Sequence, residues 1–196
     1  MATWIFLIVI VVVILWVISA YNTLINLKGQ TVNAWKQIDV QLKRRHDLIP
    51  NLVEAVKGAM DFERETLEAV IQARNQAVKV QADASPTGGV GQLAAAEAVL
   101  SSALGRFNLV VERYPDLKAT SNVGQLQEEL TSTENRVAFA RQLYNDMATT
   151  YNVKQQQFPW NMISGLARCE QVELWEITDD KVRAVPKVDL SSKPKQ

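Results

Sequence analysis

The pattern of hydrophobic and polar positions divides the chain into three regimes. The first has almost no polar position: MATWIFLIVIVVVILWVISAY over Met1–Tyr21. None of the chain's 21 Lys and Arg or 21 Asp and Glu lies within residues 1–27. A helix from Trp4 to Tyr21 rises roughly 27 Å, close to the hydrocarbon thickness of a bilayer. Residues 1–21 are therefore expected to form a transmembrane anchor. Trp4 and Tyr21 stand where interfacial aromatics belong, and Trp16 lies inside the run. A cleaved signal peptide fits poorly. No Lys or Arg precedes the apolar stretch, and Ile18 occupies a position where a cleavage site wants a small residue. A pilin-like subunit would need a basic leader and an early acidic residue, and neither is present. The expectation is an uncleaved span.

The second regime is periodic. Trp35, Ile38, Leu42, Ile49, Leu52 and Val56 recur at steps of three and four, with Arg45 in one of the slots. Met60, Leu67, Ile71, Arg74 and Val78 continue the stripe after a small phase shift. This is the seam of a helix that packs on other helices. Pro50 removes one helical hydrogen bond, yet the stripe keeps its phase across it. One helix over residues 22–83, kinked at Pro50, is expected rather than two unrelated ones. Ser85-Pro86-Thr87-Gly88-Gly89 reads as a loop. A second helix follows over 92–114, with Ala96, Leu100, Ala103, Phe107 and Val110 on one face, and Pro115 ends it. A third helix is expected over 122–157, with Asn122 as cap and Gln125 completing a capping box. Its heptads are Leu126, Leu130, Thr133, Val137, Ala140, Tyr144, Met147 and Tyr151, and Phe158-Pro159 closes it. Trp160–Leu166 adds a turn or two. Short connections make neighbouring helices antiparallel. The fold class is thus all-α: a single N-terminal transmembrane helix, then an elongated antiparallel bundle of three to four helices over 22–168. The stem from Tyr21 to about Val32 is expected to stay uncovered. Its apolar Leu24, Ile25, Leu27 and Val32 become the candidate self-association residues.

The third regime, residues 169–196, alternates. Val172, Leu174 and Glu176 interleave with Glu173, Trp175 and Ile177, and Asp179-Asp180 could turn the chain. A hairpin is one reading. Pro186 and the polar end Ser191–Gln196 favour an extended tail.

Composition changes this picture little. The formal net charge is +0, which excludes a broad basic field for nucleic acid. With eight Gly and six Pro, and with Ala, Leu, Gln, Glu and Val abundant, long helices are favoured over a sheet. The lone Cys169 cannot form an intramolecular disulfide, in keeping with a reducing compartment. Basic residues follow the apolar run and none precedes it: Lys28, Lys36, Lys43, Arg44 and Arg45. The positive-inside rule then puts the N-terminus outside and the bundle in the cytoplasm.

A search for catalytic chemistry is negative. His46 is the one His, with no ligand spacing around it, and reads as a surface or half-buried residue. Gly88-Gly89-Val90-Gly91 is not a dinucleotide loop, because no strand precedes it. Glu63, Glu65, Glu68, Glu128, Glu129 and Glu134 suggest a carboxylate metal site only on paper, since the Glu-x-x-His register is missing. No catalytic residue, cofactor or metal ligand is assigned. Lys43-Arg44-Arg45 is the densest basic cluster. It reads as helix surface paired with Asp39, Asp47 or Glu54, being roughly 35 Å along a helix from Tyr21 and so beyond reach of lipid. Thr133, Asn135, Arg136, Asn145 and Asp146 lie near the seam of the third helix, where buried polar groups set pairing register.

Three widely separated blocks resemble the LemA family of bacterial membrane proteins. They are AWKQIDVQLKRR (34–45) with DLIPNLVE (47–54); YPDLKA (114–119); and TENRVAFAR (133–141) with Tyr144-Asn145, Tyr151-Asn152 and Phe158-Pro159. The resemblance covers about residues 1–166. It implies a single-span anchor in the bacterial inner membrane carrying a cytoplasmic helical bundle, with no enzymatic activity, cofactor or catalytic residue to carry over. Association of some relatives with membrane-bound organelles implies a structural or membrane-organising part. The leading functional expectation is therefore a non-enzymatic, membrane-anchored scaffold that forms homo-oligomers on the lipid bilayer. The alternative is an adaptor that captures an unidentified membrane or cytoplasmic protein, with the alternating tail around Trp175 adding a strand to it. An enzyme of unknown class is the last reading.

Overall fold

The structure, a computed structural model, describes residues 1–57, 63–114, 121–165 and 167–176. Four long helices and one short one make up these residues: α1 Ala2–Lys57, α2 Arg64–Asp83, α3 Val90–Val111, α4 Ser121–Gln156 and α5 Asn161–Ser164. No strand occurs among the described residues. The all-α class expected from the periodicity is what the structure shows.

At 1.5 Å per residue, α1 is about 84 Å long and α4 about 54 Å, while α2 and α3 are each about 30 Å. α1 carries the apolar run and the first bundle helix as one rod, and it passes through Pro50 without a break. Its most apolar 18-residue window has a mean hydropathy of 2.9 and is 0% buried. α3 also carries a window apolar enough to span a membrane, but 44% of that window is buried in the bundle, so it is a core helix.

Side-chain pairs give the helix directions. Gln81 Nε2 donates to Asp39 Oδ1 at 2.7 Å, and Arg74 Nε donates to the His46 carbonyl at 3.2 Å. As α2 advances, its partners on α1 move backward, so the two helices are antiparallel. The expected helix over 22–83 is therefore corrected: α1 ends at Lys57 and α2 folds back along it. Residues 58–62, with Met60, lie outside the described residues. The phase shift in the apolar stripe marks the reversal, because two helices meeting one core need not share one phase. α3 turns again after Ser85–Gly89, where Ser85 and Gly88 exchange backbone hydrogen bonds of 2.8 and 3.1 Å. Gly89, at φ 84, takes the left-handed conformation that glycine adopts without strain. α4 then returns beside α1, with Arg44 Nη2 3.9 Å from Glu129 and Trp35 5.3 Å from Tyr144 between ring centroids. The expected connection after Pro115 lies outside the described residues. Asn122 falls inside α4 rather than at its cap.

The core has two main apolar layers. The distal one joins Ile49, Leu52 and Val56 of α1 to Leu67, Val70, Ala73 and Ala77 of α2, Leu100, Leu104, Phe107 and Val111 of α3, and Val123 and Leu130 of α4. The proximal one joins Ala34, Trp35, Ile38 and Leu42 to Val90, Leu93, Ala94, Val137, Ala140, Tyr144, Ala148 and Tyr151, and also to Val172 and Trp175. A third, small cluster packs Ile163 of α5 against Ala20 and Leu24 of α1. The stem is thus not uncovered. Leu24 is 0% exposed, Leu27 and Val32 are half-buried, and only Ile25 keeps 40% exposure. The reason is length: α4 extends past α3 and carries α5 and the following segment down to the stem.

Candidate functional site

Between the two main layers lies a polar one. Arg45 is 1% exposed, His46 2% and Glu97 1%, so the expectation of a surface or half-buried His46 is corrected. Arg45 Nη1 donates to Glu97 Oε2 at 3.0 Å, and Arg45 Nη2 donates to Ser101 Oγ at 2.9 Å. His46 Nε2 is 2.6 Å from Glu97 Oε1. A carboxylate only accepts, so Nε2 carries the proton in this bond. Glu134 of α4 comes within 3.8 Å of Arg45 from the half-open side, its own side chain 60% exposed. The expected partners Asp39, Asp47 and Glu54 are not the ones Arg45 uses. Arg44 and Lys43 stay exposed.

α2 joins through the backbone of α1. Pro50 has no N–H to give to the carbonyl four residues back, which is that of His46. Arg74 Nε supplies the missing donor. One layer therefore ties α1 to α2 by Arg74, to α3 by Glu97 and Ser101, and to α4 by Glu134. Arg141, about two turns beyond Glu134 on α4, feels the same charges. Burial lowers its pKa, Glu97 and Glu134 oppose that, and Arg45 adds to it.

Between α1 and α2 an open groove of about 270 Å³, lined by Asp39, Lys43, His46, Asp47, Arg74, Val78, Gln81 and Ala82, reaches the layer. The cavity beside it, lined by Arg45, Leu104, Asn108, Gln127, Leu130, Thr131 and Glu134, holds about 30 Å³. That is space for a water or two, well short of a ligand pocket. Among the described residues no three His, Cys, Asp or Glu side chains are grouped to hold a metal. The arrangement couples all four long helices at one level. Buried ion pairs contribute little net stability against apolar packing, but they strongly disfavour any alignment that separates them.

A second polar device holds the chain after α5. Asn145 Nδ2 donates to the Trp175 carbonyl at 3.0 Å, while Trp175 N–H donates to Asn145 Oδ1 at 2.8 Å. Asn152 does the same to Val172, at 2.8 and 3.0 Å. The spacings match. Seven helical residues rise about 10.5 Å, and three extended residues span about 10 Å. Each Asn amide thus stands in for the edge of a neighbouring strand. Tyr144 Oη donates to the Glu173 carbonyl at 2.6 Å, and Glu173 N–H donates to the Pro86 carbonyl at 2.8 Å. The Glu173 carboxylate accepts from Val90 N–H at 2.9 Å, placing a negative charge at the α3 N-terminus, where the helix dipole favours it. Arg141 lies 4.7 Å over the Trp175 ring. This latch fills the gap below the short α2 and α3, where α1 and α4 would otherwise share an uncovered apolar seam.

The other candidate residues now have places. Trp175 is 6% exposed and its backbone is engaged by Asn145, so it is not free to add a strand to a partner. After a turn at Ala167 and Arg168, residues 169–176 run without helix or strand; the hairpin turn at Asp179-Asp180, like everything from residue 177 on, lies outside the described residues. Asn145 bonds the backbone of Trp175 in the segment after α5 rather than a neighbouring helix, so the helix-pairing role expected for it is corrected. Asn135, Arg136 and Asp146 face solvent, and Thr133 bonds the Glu129 carbonyl of its own helix. Trp4, Trp16 and Tyr21 are exposed at 72%, 37% and 41% along the bare part of α1. Sequence reasoning missed Glu97. Its signal was present: Leu93, Glu97, Leu100, Leu104 and Phe107 follow helical steps, so an acid takes a core slot on α3 just as Arg45 does on α1.

A sequence profile of the LemA family matches residues 34–190, most of the chain. Magnetosome proteins MamQ 1 and MamQ 2 of Paramagnetospirillum magneticum are each 27% identical, over 76% of this chain and 63% of theirs. Protein LemA of Metamycoplasma hominis is 26% identical, over 87% of this chain and 73% of its own. The chain thus spans less than two thirds of the length of the magnetosome relatives it matches.

Proposed function

This chain belongs to the LemA family, and we propose that it works as a membrane-anchored helical scaffold that associates with further copies of itself. The reading has a firm lower level: a helical, membrane-associated protein whose family names are not enzyme names. The step beyond it rests on one observation. Phe139 and Leu143, one turn apart on the outer face of α4, are 73% and 38% exposed while the inner face of the same helix is packed. A single exposed Leu is ordinary; a Phe left bare beside one on a well-packed helix supports a contact surface there. A second copy of this chain is the proposed occupant. The pairing of Arg45 with Glu97 and the bonds of Asn145 and Asn152 to the latch support this reading, because each is made within the fold. The names of the magnetosome relatives agree with a part in organising a membrane structure.

In this reading α1 spans the bilayer and the bundle stands on the cytoplasmic side, the side that Lys28, Lys36, Lys43 and Arg44 favour. A photoreactive p-benzoylphenylalanine replacing Phe139 or Leu143 tests the self-contact in native membranes. An adduct of twice the chain mass is expected. Its absence at both positions would remove this surface as the contact.

A further inference from the structure

The apolar run of α1 ends near Tyr21, and the first charged residue after it is Lys28. The level of Ala20–Leu24 is therefore the boundary between hydrocarbon and headgroups if α1 spans a bilayer. At this level α1 is not alone. Ile163 of α5 is 5% exposed against Ala20 and Leu24, and Trp160 and Val17 pack on the same cluster. Packing this close fixes the height of the 158–164 turn against the membrane.

The outward side of that turn is strongly apolar. Phe158 is 77% exposed and Met162 73%, among the barest large hydrophobic residues beyond the apolar run. Ile163, between them and α1, is buried, so the turn presents one apolar side to α1 and another to its surroundings. The sequence reinforces this. Residues 155–167 contain no charged side chain. The stretch is bracketed by Lys154 and Arg168. Lys154 Nζ lies 3.5 Å over the Trp160 ring, so its cation is carried at the edge of the apolar turn. Exposed apolar residues with an aromatic and flanking cations form the composition of a segment lying in a membrane interface.

We propose that the 158–164 turn is a second membrane contact. Phe158 and Met162 insert into the interface of the bilayer that α1 crosses, and Lys154 and Arg168 face its headgroups. The occupant of this surface is lipid, because Ile163 of the same turn packs on Ala20 and Leu24 at the end of the apolar run, with Val17 in the same cluster, and so holds the turn at the level where that run ends. α1 alone would leave the bundle free to tilt and rotate on a single rod. A second contact on the returning end of α4 fixes the bundle upright and sets which of its faces point sideways along the membrane. The inference rests on the anchoring of α1 stated above and does not depend on self-association.

The test uses the full chain reconstituted in vesicles of phosphatidylcholine and phosphatidylglycerol. A p-benzoylphenylalanine replaces Val12, Phe158, Met162 or Phe139 in turn, all exposed positions where the side chain does not disturb the core. After irradiation, lipid adducts are read by mass spectrometry. Lipid adducts are expected at 12, 158 and 162 and not at 139, which lies about 28 Å along α4 from residue 158. Lipid adducts at 12 alone would overturn the second contact while leaving the anchor intact. Chain-to-chain adducts at 158 and 162 in place of lipid would overturn it in favour of a protein interface. No lipid adduct at 12 would overturn the anchoring and the contact together.

Discussion

Glu97→Gln removes one charge from the middle of the bundle and little else. The amide keeps the volume and one acceptor oxygen, but Arg45 loses its buried counter-charge at 3.0 Å and His46 loses the carboxylate at 2.6 Å. Breaking a buried pair from one side costs about 3–5 kcal/mol, because the remaining charge stays out of water. Glu134, at 3.8 Å but largely exposed, offsets part of this, so the lower end of the range is expected. For a chain of this size about 3 kcal/mol lowers Tm by roughly 6–12 °C. Circular dichroism of the full chain in mild detergent reads the shift. Arg45→Met with Glu97→Leu removes both charges at once and should recover most of the loss, since apolar replacement of a buried pair is often neutral. A Glu97→Gln variant within about 0.5 kcal/mol of the parent, the range of ordinary surface changes, would show that the layer is not the charged, buried contact described above.

Other consequences are as direct. Asn145→Ala with Asn152→Ala removes four hydrogen bonds to the latch, each contributing about 1 kcal/mol. The segment 170–176 should then undock, seen as a red shift of Trp175 fluorescence and loss of amide protection there, while α1–α4 stay folded. Arg74→Met leaves the His46 carbonyl without a donor, at about 1–3 kcal/mol. The same change in a Pro50→Ala background should cost measurably less, because residue 50 regains the N–H that this carbonyl lacks; equal costs would contradict the compensation. Tyr144 and Tyr151 have pKa values raised, the first by burial and then Glu173, the second by burial and then Cys169 and Glu170. Raised folded values mean full stability below the unfolded pKa of about 10 and a loss as pH climbs above it. Absorbance at 295 nm should show these two of the four tyrosines ionising only as the bundle unfolds.

The long seams were legible because amphipathic periodicity reports one buried face directly. The steps through Trp35, Ile38 and Leu42, and through Val137, Ala140 and Tyr144, reappear as packed residues. The break between Lys57 and Arg64 was not, because a stripe that shifts phase by a residue or two looks alike in a bent helix and in two antiparallel ones. Arg45 stood out as a charge in an apolar slot, but its partner is 52 residues away on another helix. Periodicity within one helix is silent about such pairs. Asking which other predicted helix holds an opposite charge in a core slot would have reached Glu97. The latch was hidden for a different reason. It is built from Asn side chains on backbone groups, so its recognition depends on matched spacings, seven on α4 against three on the extended segment, and not on residue type along either one. The covered stem follows from α4 outrunning α3, a consequence of length alone that a stem judged by its own residues does not reveal.

The central claim is that this anchored bundle assembles with itself through the outer face of α4. The particle mass of the full chain in mild detergent tests it most directly, measured by light scattering beside Phe139→Asp. A discrete multiple of the 21.9 kDa chain, falling toward the single-chain mass in the variant, is the predicted result. A parent protein that stays at single-chain mass at high concentration would contradict the claim.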